Sequence, residues 1–139
     1  MFGLLSKKPD EASLLVHQAL GPGVAAVLSA SCCMQGTQQA DAAVEAVARA
    51  ALADAGLDWP VLTVTVTQAQ SALGRIARNL TPAEAQLAQQ VTELFASSGL
   101  GAFPLLLLNQ RLLSYGGVPD LALVRTALPA QGAVHEESA

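Results

Sequence analysis

The stretch VAAVLS, residues 24–29, places the strongest constraint on the fold of this chain. It is a short apolar run without polar alternation, and Gly21-Pro22-Gly23 breaks the chain just before it. Such a run is typical of a β-strand that is covered on both faces. A chain of 139 residues is long enough to bury one sizeable core around such a strand. We therefore expect a single sheet with residues 24–29 in its interior.

The other elements follow from hydrophobic spacing and from start and stop signals. The patterns predict helices over residues 10–20, 33–55, 82–98 and 121–128, and strands over 24–29, 61–67, 105–108 and 111–115. The clearest helix start is Thr81-Pro82-Ala83-Glu84, because Thr81 can cap the helix and Glu84 can accept the N–H of the cap residue. Residues 68–80, QAQSALGRIARNL, are predicted to form a loop with at most one helical turn.

The order of these elements predicts a topology. The first strand–helix–strand unit should be parallel with a right-handed crossover, and the hairpin after it adds an antiparallel pair. The expected fold is α/β, a four-stranded mixed sheet in the order β-α-β-α-β-β-α with helices on both faces and a short N-terminal helix. In domain terms we expect an N-terminal extension over residues 1–23, one domain over 24–128 and a flexible C-terminal tail over 129–139.

Composition narrows the possible partners and compartment. The net charge is −4 with 7 Lys and Arg in total, which argues against a nucleic-acid partner. The apolar run at residues 103–108 is far shorter than the roughly 20 residues that a membrane-spanning helix needs. The first ten residues have no long apolar segment after their charges, so they do not match a secretory signal. We expect a cytoplasmic protein that binds neither membranes nor nucleic acid.

The two cysteines, Cys32 and Cys33, are adjacent and follow the first predicted strand. In a reducing cytosol both are expected to be thiols. The N-terminus of the following helix can stabilise a thiolate through its free N–H groups and its dipole. Further along, Phe103-Pro104 lies directly before the third predicted strand, where a missing N–H costs no ladder hydrogen bond.

These two stretches, in this order of elements, resemble the thioredoxin-like superfamily. The Cys-Cys pair and the Pro-Leu-Leu-Leu-Leu stretch at 104–108 resemble ArsD-like arsenic metallochaperones and repressors. Ser29-Ala30-Ser31-Cys32 is similar to the Cys-Ala-Ser-Cys motif of small YuzD-type proteins, which are assigned as disulfide oxidoreductases. The resemblance spans roughly residues 24–128. It implies a cis Phe103–Pro104 bond in a loop that faces the cysteines, with Phe103 and Pro104 contacting substrate.

The chain departs from the motifs of these families at three positions. The third thiolate of an ArsD-like site corresponds to Gln38 here, and the first cysteine of the YuzD-type motif corresponds to Ser29. If Cys32 is the attacking thiol of a thioredoxin, the resolving position is Gln35. No alignment therefore gives a CxxC motif, and the usual dithiol–disulfide cycle lacks its second cysteine.

Three functions remain open from the sequence. In the first, Cys32 carries out thiol–disulfide exchange or redox sensing with a protein or small-molecule thiol, needs no cofactor, and uses Cys33 as an auxiliary resolving thiol. In the second, Cys32 and Cys33 bind arsenite, copper(I) or another soft ion, and a homodimer completes the ligand set. In the third, the cysteines are buried as small apolar residues and the domain is a non-catalytic interaction module.

Overall fold

The computed structural model describes residues 11–31, 36 and 38–129. The described helices are α1 (Glu11–Ala19), α2 (Gln38–Ala55), α3 (Val66–Ile76), α4 (Pro82–Ser98) and α5 (Leu121–Ala127). The described strands are β1 (Ala25–Ser29), β2 (Val61–Thr65), β3 (Leu105–Leu108) and β4 (Arg111–Tyr115). Short 3-10 turns follow α3 at Ala77–Asn79 and α4 at Gly99–Ala102. No helix within these ranges has the length and apolar character needed to cross a lipid bilayer.

The four strands form one mixed sheet in the order β2-β1-β3-β4. Strand β1 runs parallel to β2 and antiparallel to β3, and β3 runs antiparallel to β4. All residues of β1 are buried, and this strand lies between two neighbours. The prediction that residues 24–29 form an interior strand is therefore confirmed, and so is the mixed α/β sheet.

The side chains of each strand point alternately to the two faces of the sheet, and this divides the core into two halves. Ala26 and Leu28 of β1 belong to a core that also contains residues of α1, α3 and α4. Ala25 and Val27 belong to a second core with residues of α2 and α5. Because successive side chains of a strand point to opposite faces, the two cores lie on opposite sides of the sheet. Helices thus cover both faces, as the sequence predicts.

Helix α1 is part of the first core. The spacing of apolar residues predicts that Leu14, Leu15 and Ala19 face inward. Ala19 is buried, as is Val16, whereas Leu14 is 55% exposed. Val16, Ala19 and the following Leu20 are three and four residues apart and share one helix face, and Leu14 lies outside that stripe. The expectation for Leu14 was wrong because a nine-residue helix presents only one narrow face to the core.

The segment after β2 differs most from the sequence-based expectation. The predicted strand over 61–67 ends at Thr65. Helix α3 starts at the next residue, Val66, and continues to Ile76, so it replaces most of the predicted loop over 68–80. The reason is a capping box: Gln68 N–H donates to Thr65 Oγ1 (3.1 Å), and Thr65 N–H donates to Gln68 Oε1 (2.9 Å). The alternation of valine and threonine through residue 66 favoured a longer strand, but this cap starts a helix.

The other element boundaries agree with prediction to within a residue or two where the structure describes them. Helix α4 starts with a capping box between Thr81 and Glu84 and ends at Gly99, which has φ of 63°. Asp120 stands at the cap position of α5, but its side chain makes no capping hydrogen bond. The start of α2 is the exception: the sequence predicted it near residue 33, but Gly36 lies in a turn with φ of 84°, and the helix begins at Gln38. Most of the predicted tail over 129–139 lies outside the described residues.

The hairpin between β3 and β4 turns on two residues with left-handed backbone, Asn109 (φ 52°) and Gln110 (φ 69°). Positive φ at both positions is what a two-residue type I′ turn requires. Asn109 also ties this turn to the start of β1, because its Oδ1 accepts the N–H of Gly23 (2.8 Å) and its N–H donates to Val24 O (2.9 Å). The hairpin predicted from the strands over 105–108 and 111–115 is confirmed.

Substitution of Gln110 by glycine should raise the free energy of unfolding by about 0.5–1 kcal/mol, because glycine adopts positive φ without a Cβ clash. Asn109→Ala should lower it by about 1–2 kcal/mol, since the side-chain acceptor for Gly23 is lost while the strain remains. Urea unfolding of both variants gives the comparison. A stabilised Asn109→Ala protein would show that the link to Gly23 contributes nothing.

Candidate functional site

The register of the central strands determines where the candidate site lies. Leu28 near the end of β1 pairs with Leu105 at the start of β3. Because the two strands are antiparallel, the chain leaves β1 at the same edge of the sheet where Phe103 and Pro104 enter β3. The segment from β1 to α2 carries Cys32 and Cys33, and both cysteines lie outside the described residues. Their roles therefore stay predictions, and the described part of the site consists of the residues that flank them.

A hydrogen-bonded chain joins the end of β1 to the first turn of α2. The Ser29 hydroxyl is 1% exposed and donates to Asp41 Oδ2. Ser31 N–H donates to Ser29 Oγ (3.0 Å), and the two serine hydroxyls lie 2.8 Å apart. Since Ser29 has one proton and gives it to the carboxylate, the Ser31 hydroxyl must donate in the contact between the two serines. The chain therefore runs from Ser31 through Ser29 to Asp41.

Asp41 is the polar residue of this edge that the sequence analysis missed. It lies in the first turn of α2, where a carboxylate interacts favourably with the helix dipole. Its second oxygen, Oδ1, is buried and has no hydrogen-bond partner among the residues that the structure describes. The sequence does carry a signal for this pair, namely a serine at the end of a strand and an aspartate at the start of the next helix. Each residue type is also common at caps and on the surface, so the signal is weak.

The predicted substrate-contacting pair, Phe103 and Pro104, lies directly before Leu105, the residue of β3 that pairs with Leu28. The peptide bond between them is cis, as the resemblance implies. Gly116 N–H donates to the carbonyls of Ala102 (2.6 Å) and Pro104 (3.2 Å), which fixes the loop against the end of β4. Phe103 is only 8% exposed, and its ring meets the ring of Phe95 edge to face at 6.0 Å. The Phe103 ring thus belongs to the first core.

A separate polar contact connects α1 to the start of α4. His17 Nε2 lies 3.2 Å from Glu84 Oε1, and the same oxygen accepts the N–H of Thr81 (2.9 Å). The hydrogen bond from Thr81 lowers the pKa of Glu84 most, burial acts in the opposite direction, and the contact with His17 lowers the pKa further. Because His17 and Glu84 contact each other and thereby join α1 to α4, we assign this pair a structural role.

Glu84→Gln should therefore remove the contribution to the free energy of unfolding that the wild-type protein loses at acid pH. Glutamine keeps the capping box but loses the charge, so we expect a loss of about 0.5–1 kcal/mol at neutral pH. The lowered folded-state pKa means that the wild-type advantage is complete above the ordinary value of 4.5 and disappears as the pH falls through the folded value. Urea unfolding between neutral and acid pH measures the difference.

The matched control is Glu93→Gln, an exposed glutamate on the same helix. Its free energy of unfolding should stay within about 0.5 kcal/mol of wild type across the pH range. A difference between wild type and Glu84→Gln that stays constant down to acid pH would contradict the assignment to the Glu84 charge.

Comparison with known proteins gives no further assignment for this edge. No protein-family model matches the chain, and no curated protein or solved structure matches it. Within residues 11–31, 36 and 38–129, no three His, Cys, Asp or Glu side chains cluster in a way that could hold a metal ion. The soft-ion hypothesis depends on Cys32 and Cys33 and stays a prediction.

Proposed function

We propose that this chain is a thioredoxin-like thiol protein that acts through Cys32, with Cys33 as an auxiliary thiol. The observation that carries the proposal is the pairing of Leu28 with Leu105, because it brings the backbone that precedes Cys32 to the edge where the cis Phe103–Pro104 loop lies. The strand order β2-β1-β3-β4, with β1 parallel to β2, supports the same class of fold. The segment with the cysteines also leads into α2, whose N-terminus would favour a thiolate.

The chemistry proposed is thiol–disulfide exchange. The Cys32 thiolate attacks a disulfide R–S–S–R′, forms the mixed disulfide Cys32–S–S–R and releases R′S⁻. The Cys33 thiolate can then attack Cys32 Sγ, which releases RS⁻ and leaves a disulfide between the adjacent cysteines. The ring closed by adjacent cysteines strains the intervening peptide, so that disulfide should be easily reduced by two equivalents of a small thiol such as glutathione.

Alkylation of the full chain with iodoacetamide at a series of pH values, read by peptide mass spectrometry, tests the proposal. Cys32 should react faster than Cys33, with an apparent pKa below the value of about 8.5 of an unperturbed cysteine. With oxidised glutathione, the Cys33→Ser protein should gain one glutathione adduct and the matched Cys32→Ser protein none.

Two results would contradict the proposal. Thiols that resist alkylation in the native protein but react in urea would show that both cysteines are buried and that the domain is a non-catalytic scaffold. Arsenite or copper(I) binding that either serine variant abolishes, without any glutathione adduct on the wild type, would favour the soft-ion hypothesis.

A further inference from the structure

An apolar cavity of about 290 Å³ lies between α3, α4 and the sheet. Leu28 of β1 forms its floor, α3 and α4 form its sides, and Phe103 forms one end. We call it the α3–α4 pocket. Among the described lining residues, seven are apolar, and Gln70 and Thr92 are polar. None of the lining residues that the structure describes is charged.

The concave shape has a simple cause in the sequence of α3. Val66, Ala69 and Leu73 follow one another at spacings of three and four residues and therefore share the helix face toward α4. Ala69 stands in the middle of this stripe with a single methyl group. Across from it, Val91 and Phe95 of α4 lie four residues apart. The small residue between two large ones leaves the space that a leucine would fill.

The pocket is blind on its inner side. A second, much smaller space of about 20 Å³ continues from it toward Val16 and Leu20 and shares Leu28 and Ala69 with its wall. Val16 and Leu20 are both buried in the first core, so the inner end of the pocket closes against α1. A closed inner end suits a compact molecule, whereas an extended or helical peptide needs a groove that is open at both ends.

We propose that the α3–α4 pocket binds a small neutral apolar molecule, of the size of a bicyclic aromatic compound. The volume is close to the lower end of ligand pockets, about 300 Å³, and about twice that of an apolar cavity of about 150 Å³ that binds benzene. A buried charge would be costly because none of the described lining residues carries a charge to compensate it. The Thr92 hydroxyl already donates to Ala88 O (2.8 Å), so the amide of Gln70 supplies the polar contact at the mouth.

Titration of the full chain with indole, followed by NMR of the Leu and Val methyl groups, tests this inference. We expect saturable shifts at Leu28, Leu73 and Val91, with a dissociation constant on the order of 0.1–1 mM for so small a ligand. Val44 and Val124 belong to the core on the other face of the sheet and should not shift. They therefore report any non-specific binding.

The decisive variant is Ala69→Leu, which fills the pocket. It should weaken indole binding at least tenfold and raise the melting temperature, because it fills an apolar cavity. The matched control is Ala46→Leu, the same change at an exposed position of α2, and it should bind indole as the wild type does.

Should Ala69→Leu fail to fold, Phe95→Ala tests the same wall and should change the affinity for indole at least threefold. Absence of saturable shifts, equal shifts in both cores, or unchanged affinity in these wall variants would overturn the proposal.

Discussion

Replacement of Leu106 by alanine should lower the free energy of unfolding by about 3–4 kcal/mol. Leu106 is fully buried in β3 and belongs to the core that includes Val44 of α2 and Val124 of α5. The loss has two parts, the transfer free energy of the deleted atoms and the cavity that remains. Because β3 is held between β1 and β4, its backbone has little freedom to move into that cavity.

Urea unfolding followed by circular dichroism measures this change. Leu123→Ala is the matched control, since Leu123 lies on α5 but is 47% exposed. That control should change the free energy by no more than about 0.5 kcal/mol. If the two leucine variants lose similar amounts, the second core contributes less than its burial indicates.

Ser29→Ala has the second largest expected effect, a loss of about 2–3 kcal/mol. Ser29 is 1% exposed, and its hydroxyl is a hydrogen-bond partner of Ser31 and Asp41. Removal of this hydroxyl leaves the Asp41 carboxylate without its serine donor. A hydrogen bond to a charged group is worth about 1.5–3 kcal/mol, and a buried polar group without a partner adds a desolvation cost.

A double-mutant cycle separates the Ser29–Asp41 contact from other effects of each substitution. The four proteins are wild type, Ser29→Ala, Asp41→Ala and the double variant, each unfolded in urea at neutral pH. We expect a coupling free energy of about 1.5–3 kcal/mol, so that the double variant loses less than the sum of the single variants. Strict additivity would show that the two side chains do not stabilise each other in solution.

Local patterns were enough to predict most elements. The apolar run at residues 24–29 predicted an interior strand, and Thr81 with Glu84 predicted the start of α4. Each of these signals lies within a few neighbouring residues. The missed helix α3 also had such a signal in Thr65 and Gln68, but the alternation of valine and threonine before it favoured a strand over the same residues.

The candidate site was only partly predictable for a different reason. Cys32, Cys33, Phe103 and Pro104 could be selected by residue type and position, whereas Asp41 gained its significance from a contact with Ser29 twelve residues earlier. The α3–α4 pocket combines residues of β1, two helices and the loop before β3. Neither feature has a signature in a single stretch of the chain.

Local side-chain spacing and capping residues were enough to predict most strands and helices, because both signals act over one or two turns. The contact between Ser29 and Asp41 and the space that Ala69 leaves opposite Val91 exist only in the folded chain. These relations depend on how separate elements pack, and the energy of packing depends on the shape and distance of residues that are remote in the chain.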